Sequence, residues 1–354
     1  MSDLALDLRS DAITLPTEEM WEAMRSARLG WAHAGEDPNV SELEAEAAAL
    51  AGKQSALLLQ SGSLGNLLAL MTHARRGDQV ILDGASHIAW SEEWGIAHVC
   101  GLFPRLVESV DGRMNPDRVR DAIDRAWLGH LPQTSLVCLE SSHNFSGGVA
   151  LGAAYLGAIA AIAQQHGART HLDAARIFNS TAALNEDPHV VMAPFDSAVF
   201  NLNKSLSAPG GAVLVGSEDF IGGARINLRR VGGSPGHQAG ILAAAGLVAL
   251  RTMIPQAAVD NRRARELASR LDAVDGASVD VALVQMNIVR LHVDDAQRVA
   301  AELERRGLRT MVLAMDELRL VTHRHVTDDS PARAAAILEE AIASSRNAGL
   351  TGDL

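Results

Sequence analysis

The chain has 354 residues, a formal net charge of −12, 47% hydrophobic residues and 21% charged ones. Such a length suits about two domains of ~150 residues each, with ordinary globular composition and a substantial core. The acidic balance and the lack of any Lys/Arg block argue against a nucleic-acid or membrane-surface partner. The longest apolar stretches, 151–163 and 241–250, fall short of the ~20 residues a membrane span needs. The first eleven residues lack the basic and apolar regions of a secretory signal. Cys100 and Cys138 form neither a metal spacing nor a disulfide framework, so a reducing, cytoplasmic setting is expected.

Residues 17–27 carry a short helical pattern, and Asp37-Pro38 has the form of a helix cap followed by Pro at the first position. Val40, Leu43, Ala47 and Leu50 continue it at helical spacing. Short apolar strands are then expected at 55–60, 79–82, 135–140, 169–172, 198–202 and 212–215. Helices are expected from the 61–66 loop through Met71 and over 153–165. Buried strands alternating with helices predict an α/β domain with a mainly parallel sheet. Beyond the glycines at 232–236, helices at 241–253, 257–271, 296–306 and 332–342 alternate with strands at 288–293 and 318–322. These form a smaller α+β unit, and the division is placed at 1–245 and 246–354.

Among 31 Lys+Arg residues only Lys53 and Lys204 are lysines. A lysine kept in an arginine-rich chain points to amine chemistry, which arginine cannot do. Lys53 follows a helix end, where a cation favours the dipole, and reads as structural. Lys204 follows a buried strand and precedes Pro209-Gly210-Gly211. Burial there would favour the neutral amine that a Schiff base requires. Taken alone, a loop lysine is usually solvated charge. Ser61-Gly62-Ser63-Leu64-Gly65-Asn66 opens a helix whose free N–H groups suit a phosphate, although many such turns bind nothing. Asp173 and Arg176 end another strand; a local ion pair is the plainer reading, a ring-nitrogen acceptor and a carboxylate clamp the functional one. His87 follows the 79–82 strand, either as a polar loop residue or as a ring stacked on an aromatic cofactor.

In this order the motifs resemble the L-threonine aldolase family of fold-type-I pyridoxal-phosphate (PLP) enzymes. The match runs from Asp7-Leu8-Arg9-Ser10-Asp11 through Gly35-Glu36-Asp37-Pro38 and Ser61–Asn66 to His171–Asn179, Lys204, Gln238–Gly246 and Arg319-Leu320-Val321-Thr322-His323. The resemblance implies a PLP-binding large domain, a small C-terminal domain and retro-aldol cleavage of L-β-hydroxy-α-amino acids to glycine and an aldehyde. It gives Lys204 the cofactor imine, Asp173 the pyridine nitrogen, His87 the ring face, and Gly62 and Ser63 the phosphate. Ser10, Arg176 and Arg319 would clamp the substrate carboxylate, and His130 would sit near the β-hydroxyl. No metal is implied. A small amino-acid substrate and a homodimer or homotetramer are implied.

The sequence also departs from the family. Ala34 and Ala89 replace aromatic residues, His237 replaces an arginine, and Asn203, Ser205 and Ala174 replace small neighbours of the site. Tyr155 is the sole tyrosine. A larger pocket and a bulkier β-substituent are the expectation. Transaldolase or β-elimination chemistry on the same scaffold is the alternative.

Overall fold

The computed structural model describes residues 6–124, 132–234 and 236–350, with side chains through 345. Strand β1 (Leu6–Asp7) is short. A seven-stranded sheet follows from β2 (Ser55–Leu59), β3 (Gln79–Asp83) and β4 (Phe103–Val107). The hairpin β5 (Ser109–Val110) and β6 (Arg113–Met114) precedes its remaining strands: β7 (Thr134–Glu140), β8 (Arg169–Asp173), β9 (Ser197–Asn201) and β10 (Ala212–Gly216). The order is β2-β10-β9-β8-β7-β3-β4. Pairs β4–β3, β3–β7, β7–β8 and β8–β9 are parallel, and β10 runs antiparallel to both neighbours. The central strands are buried on both faces, which is why they read as continuous apolar runs without alternation.

Helices cover both faces. Helix α1 (Glu18–Arg25) is capped by Thr17, and α2 (Pro38–Ala51) by Asp37, whose carboxylate accepts from the N–H groups of Asn39 and Val40. Helix α3 (Gly62–His73) starts one residue after Ser61, whose hydroxyl accepts from the Leu64 N–H. Gly62 and Ser63 are therefore the first helical residues rather than part of a preceding loop. A Cβ on Gly65 would lie 2.5 Å from Val199 Cγ2, so α3 packs against β9 closely enough to require glycine.

Two short helices, α4 (His87–Trp90) and α5 (Gly95–His98), follow β3; α6 (Pro116–Asp124) follows the hairpin. Helices α7 (Ala153–Gln165), α8 (Ile177–Leu184), α9 (Pro188–Met192) and α10 (Glu218–Arg230) complete the layers, with α11 (Gly240–Thr252) packed on α1 and α2.

The largest hydrophobic cluster lies between this sheet and α1, α2, α7 and α11. A separate cluster begins along α12 (Gln256–Asp272) and includes Leu6 and Leu8 from the start of the chain. It is built on a four-stranded antiparallel sheet of β11 (Ala277–Ser278), β12 (Ile288–Val293), β14 (Met311–Ala314) and β15 (Glu317–Val321), with α13 (Ala296–Arg305) and α14 (Ser330–Leu350) against it. Strand β1 pairs with β13 (Leu308–Arg309), and the N-H of Val321 donates to the Leu8 carbonyl. The N-terminal segment is thus anchored on the second unit while Asp11 and Thr14 reach the first.

No single helix among the described residues is long and apolar enough to cross a membrane.

Candidate active site

The C-terminal ends of β3, β7, β8 and β9 carry Asp83, Glu140, Asp173 and Asn201. Glu140 and Asp173 are register partners, as are Asp173 and Val199, so these ends share one edge of the sheet. Strand β2 also ends there, delivering the N-terminus of α3. Ligands of doubly wound sheets bind at this edge.

Asp173 is buried, with 3% of its surface exposed. Its Oδ1 accepts from the Ala175 N–H (3.1 Å) and its Oδ2 from Asn66 Nδ2 (2.8 Å). Asn66 Nδ2 also donates to Glu92 Oε1 (2.8 Å), which in turn meets His87 Nδ1 at 3.0 Å. Burial pulls the His87 imidazolium toward its neutral form, but the Glu92 hydrogen bond and the charges of Asp173 and Glu140 outweigh it; the pKa ends above the ordinary histidine value. The ligand atoms of His87, Glu92 and Asp173 lie within 4.8 Å of one another. An amide N–H already sits between the two carboxylates, which suits hydrogen bonding and not a cation.

Glu140 holds the site from behind. Its two oxygens accept from the backbone N–H groups of His87 (2.6 Å) and Asn144 (2.7 Å). Asn144 Oδ1 accepts from Arg319 (3.2 Å), and Arg319 also donates to the Arg9 carbonyl (3.3 Å). Arg319 Nε is buried without a partner among the described residues. Burial, and then the like charge of Arg176, bring the Arg319 guanidinium down to about 10. Arg319 thus keeps a buried donor to spare beside a like charge.

Arg176 does not pair with Asp173. Its Nε and one terminal nitrogen form a bidentate pair with Asp11, at 2.7 Å each. Asn287 Nδ2 donates to the same carboxylate (3.1 Å). Burial would raise the Asp11 carboxyl, but Arg176 holds it far below the usual carboxylate range. Asp11 thus fixes the plane of Arg176 and occupies one edge of its fork. Ser10 Oγ accepts from the Ala12 N–H and so caps the turn that carries Asp11.

Lys204 follows β9, with its backbone carbonyl accepting from Thr14 Oγ1 (3.2 Å). Its ammonium has no ion-pair or hydrogen-bond partner among the described residues, while Arg176, Asp11, Asp173 and Glu140 all act on it electrostatically. Burial, and then Arg176, bring it down to about 8. The neutral amine is therefore far more accessible near neutral pH than it is for an ordinary lysine. Lys53 contrasts with it: its ammonium donates to the Ala193 and Phe195 carbonyls beyond α9, a structural clasp.

A sequence-model comparison matches the beta-eliminating lyase family over residues 7–294. The chain is 38% identical over 331 residues to low-specificity L-threonine aldolase 1 of Arabidopsis thaliana, covering 91% of this chain and 92% of that protein. It is 34% identical to the low-specificity L-threonine aldolase of Escherichia coli K12, covering 94% and 97%. The chain belongs to the L-threonine aldolase family of beta-eliminating lyases. Among solved structures, the threonine aldolase of Leishmania major superimposes with a TM-score of 0.82 at 17% identity, over 95% of this chain and 99% of that one. The fold is that of the fold-type-I enzymes, and the chain is a lyase.

Within this aldolase-family chain, Asp11, Asn66, Glu92 and Glu140 are site residues to which sequence reasoning gave no role. The partners of Asp11 and Asn66 lie 165 and 107 residues away, whereas Glu92 and Glu140 also bond close neighbours, His87 and Asn144. His130 falls outside the described residues. Ala89 does not widen the site as expected from the sequence: its methyl is fully buried in the cluster formed by Leu70, Val80, Ile88 and Leu102. Ala34 is exposed, beside the left-handed Gly35.

Proposed function

We propose that this enzyme binds PLP on Lys204 and cleaves the Cα–Cβ bond of L-β-hydroxy-α-amino acids, releasing glycine and an aldehyde. The observation that carries the reading is Lys204 itself: an unpaired amine, brought down to about 8, held among Asp173, Glu140 and the Arg176–Asp11 pair.

The donor set fits PLP. Among the described residues, Asn201 Oδ1 and Ser207 Oγ are buried without hydrogen-bond partners. A Cβ on Gly62 would lie 2.6 Å from Asn201 Oδ1, so a side chain there would close the cradle. Among the described residues, the Gly62 and Ser63 N–H groups at the start of α3 carry no hydrogen bond, as an anion seat requires. Lys204 would hold the cofactor's carbonyl carbon, Asp173 its ring nitrogen, His87 its ring face, and Gly62 and Ser63 its phosphate. When bound, PLP supplies an electron sink for the electrons released from the Cα–Cβ bond.

Arg176 and Arg319, with Ser10, bind the substrate carboxylate and thereby fix rotation about Cα–N. That orientation selects which bond at Cα breaks. His130 takes the β-hydroxyl proton, the Cβ–O bond becomes the aldehyde carbonyl, and Cα regains a proton to give glycine. Glu92 sets the orientation of His87, and Asp11 that of Arg176.

The enzyme acts as a homodimer or homotetramer. Trp31 and Trp90, 53% and 60% exposed, offer a second copy the aromatic surface such contacts favour. The test is incubation of PLP-loaded protein with L-threonine, L-allo-threonine and L-phenylserine. Glycine and aldehyde in equal amounts support the reading; ammonia with 2-oxobutanoate from either threonine, or with phenylpyruvate from phenylserine, would replace it with β-elimination.

A further inference from the structure

A hydrogen-bonded line of side chains crosses the sheet behind Asp173. His73 Nε2 meets Ser197 Oγ at 2.8 Å, and Ser197 Oγ meets His171 Nδ1 at 2.8 Å. His171 Nε2 meets Asn66 Oδ1 at 3.0 Å, and Asn66 Nδ2 meets both Asp173 and Glu92 at 2.8 Å. Ser197 and His171 are fully buried and Asn66 nearly so. The line ends at His73, which lines a rear cleft of about 710 Å³ at the opposite edge of the sheet, stacked on Phe220 with ring centroids 4.3 Å apart.

The direction of every donor follows from one constraint. Asn66 faces two carboxylates on one side, so that side must be its NH2; the reverse orientation would set an oxygen lone pair against two anions. Its Oδ1 then needs a donor, so His171 carries its proton on Nε2 and leaves Nδ1 bare. The Ser197 hydroxyl must donate to that bare nitrogen, and its oxygen accepts from His73 Nε2–H. Burial keeps both rings neutral: His171 falls to about 3, with His73 adding to the effect, and His73 falls to about 4 although the Asp196 carboxylate opposes the shift.

We propose that His73, Ser197, His171 and Asn66 are positioning residues: a one-way line of donors that polarises toward Asp173 and Glu92 together. Each donor strengthens the next, as hydrogen-bonded chains in a low-dielectric interior do. Asn66 is the branch point. It fixes the carboxylate assigned to the cofactor's ring nitrogen and the one that orients His87 with a single amide, so the two cannot shift independently. An amide does not pass a proton on, so the line polarises without conducting. This role deepens the proposed function and rests on it for its kinetic consequence only.

The test uses full-length, PLP-loaded enzyme labelled with 15N-histidine, with assignment by His171→Gln and His73→Phe. Both histidines are expected as neutral Nε2–H tautomers down to pH 5; an Nδ1–H tautomer at His171 would overturn the direction of the line. In kinetics, Ser197→Ala should lower kcat about threefold to tenfold with substrate KM unchanged, because the residue touches no substrate. Should that variant fail to fold, His73→Phe at the cleft end tests the same line and should lower kcat in the same direction. Unchanged kcat in a folded variant, or a loss confined to KM, would overturn the proposal. The expected tautomers in an enzyme without aldolase turnover would support the line and remove the activity, so the two failures are distinguishable.

Discussion

Replacing Asp11 by Asn tests the arrangement of the substrate clamp. The substitution keeps the shape of the side chain and removes its charge. In the wild type, Asp11 accepts two bonds of 2.7 Å from Arg176 and one of 3.1 Å from Asn287, with the Arg176 and Asp11 side chains 6% and 0% exposed. Removing one partner of such a pair leaves a buried guanidinium uncompensated, which costs about 3–5 kcal/mol. The effect has a defined pH window. The folded carboxyl lies well below its ordinary value, so its stabilisation is complete above about pH 3.9 and is lost as pH falls toward the folded value. Urea denaturation at pH 7 of Asp11→Asn, Arg176→Met and the double variant measures the coupling. The double variant should be less destabilised than the sum of the singles, and Asp11→Asn should raise substrate KM because Arg176 is no longer held. A loss under about 1 kcal/mol with unchanged KM would refute the claim that Asp11 orients Arg176.

Further outcomes follow from the same geometry. Arg319→Met should raise KM for the amino acid about tenfold to a hundredfold with a smaller effect on PLP affinity, read by steady-state kinetics and PLP titration. Glu92→Gln removes the charge and leaves only a weaker, neutral acceptor for the ring N–H of His87, so the His87 titration followed by NMR should move to lower pH. Gly62→Ala should weaken PLP binding, because the added Cβ meets Asn201 Oδ1. Burial pushes the Cys100 thiol up to about 12 and Cys138 higher still, so neither should react with a thiol reagent until the chain is unfolded.

The alternation of strand and helix was readable because the central strands are buried on both faces and their apolar runs are short and bounded. The 153–165 helix and the 288–293 strand coincide with the sequence expectation to the residue. Strand β4 was not anticipated. Its sequence, Phe103-Pro104-Arg105-Leu106-Val107, carries a proline and an arginine that only an edge strand with one free side accommodates. Helix α10 was missed for a related reason: Gly222 and Gly223 interrupt its pattern, while Ser217 at its cap and Arg229 and Arg230 in its last turn mark its ends. Within the site, residues at strand ends could be picked out locally. Their partners could not: Arg176 and Asp11 are 165 residues apart, and Asn66 and Asp173 are 107 apart. Local spacing favoured an Asp173–Arg176 pair, and the fold instead gave each residue a distant partner.

The most direct measurement uses the scarcity of lysine. Borohydride reduction of the PLP-loaded enzyme, followed by peptide mass mapping, asks which amine carries the cofactor. A pyridoxyl adduct on Lys204, absent from Lys204→Ala, is the predicted result. An adduct on Lys53, whose ammonium is clasped by the Ala193 and Phe195 carbonyls, or no reducible adduct on either lysine, would contradict it.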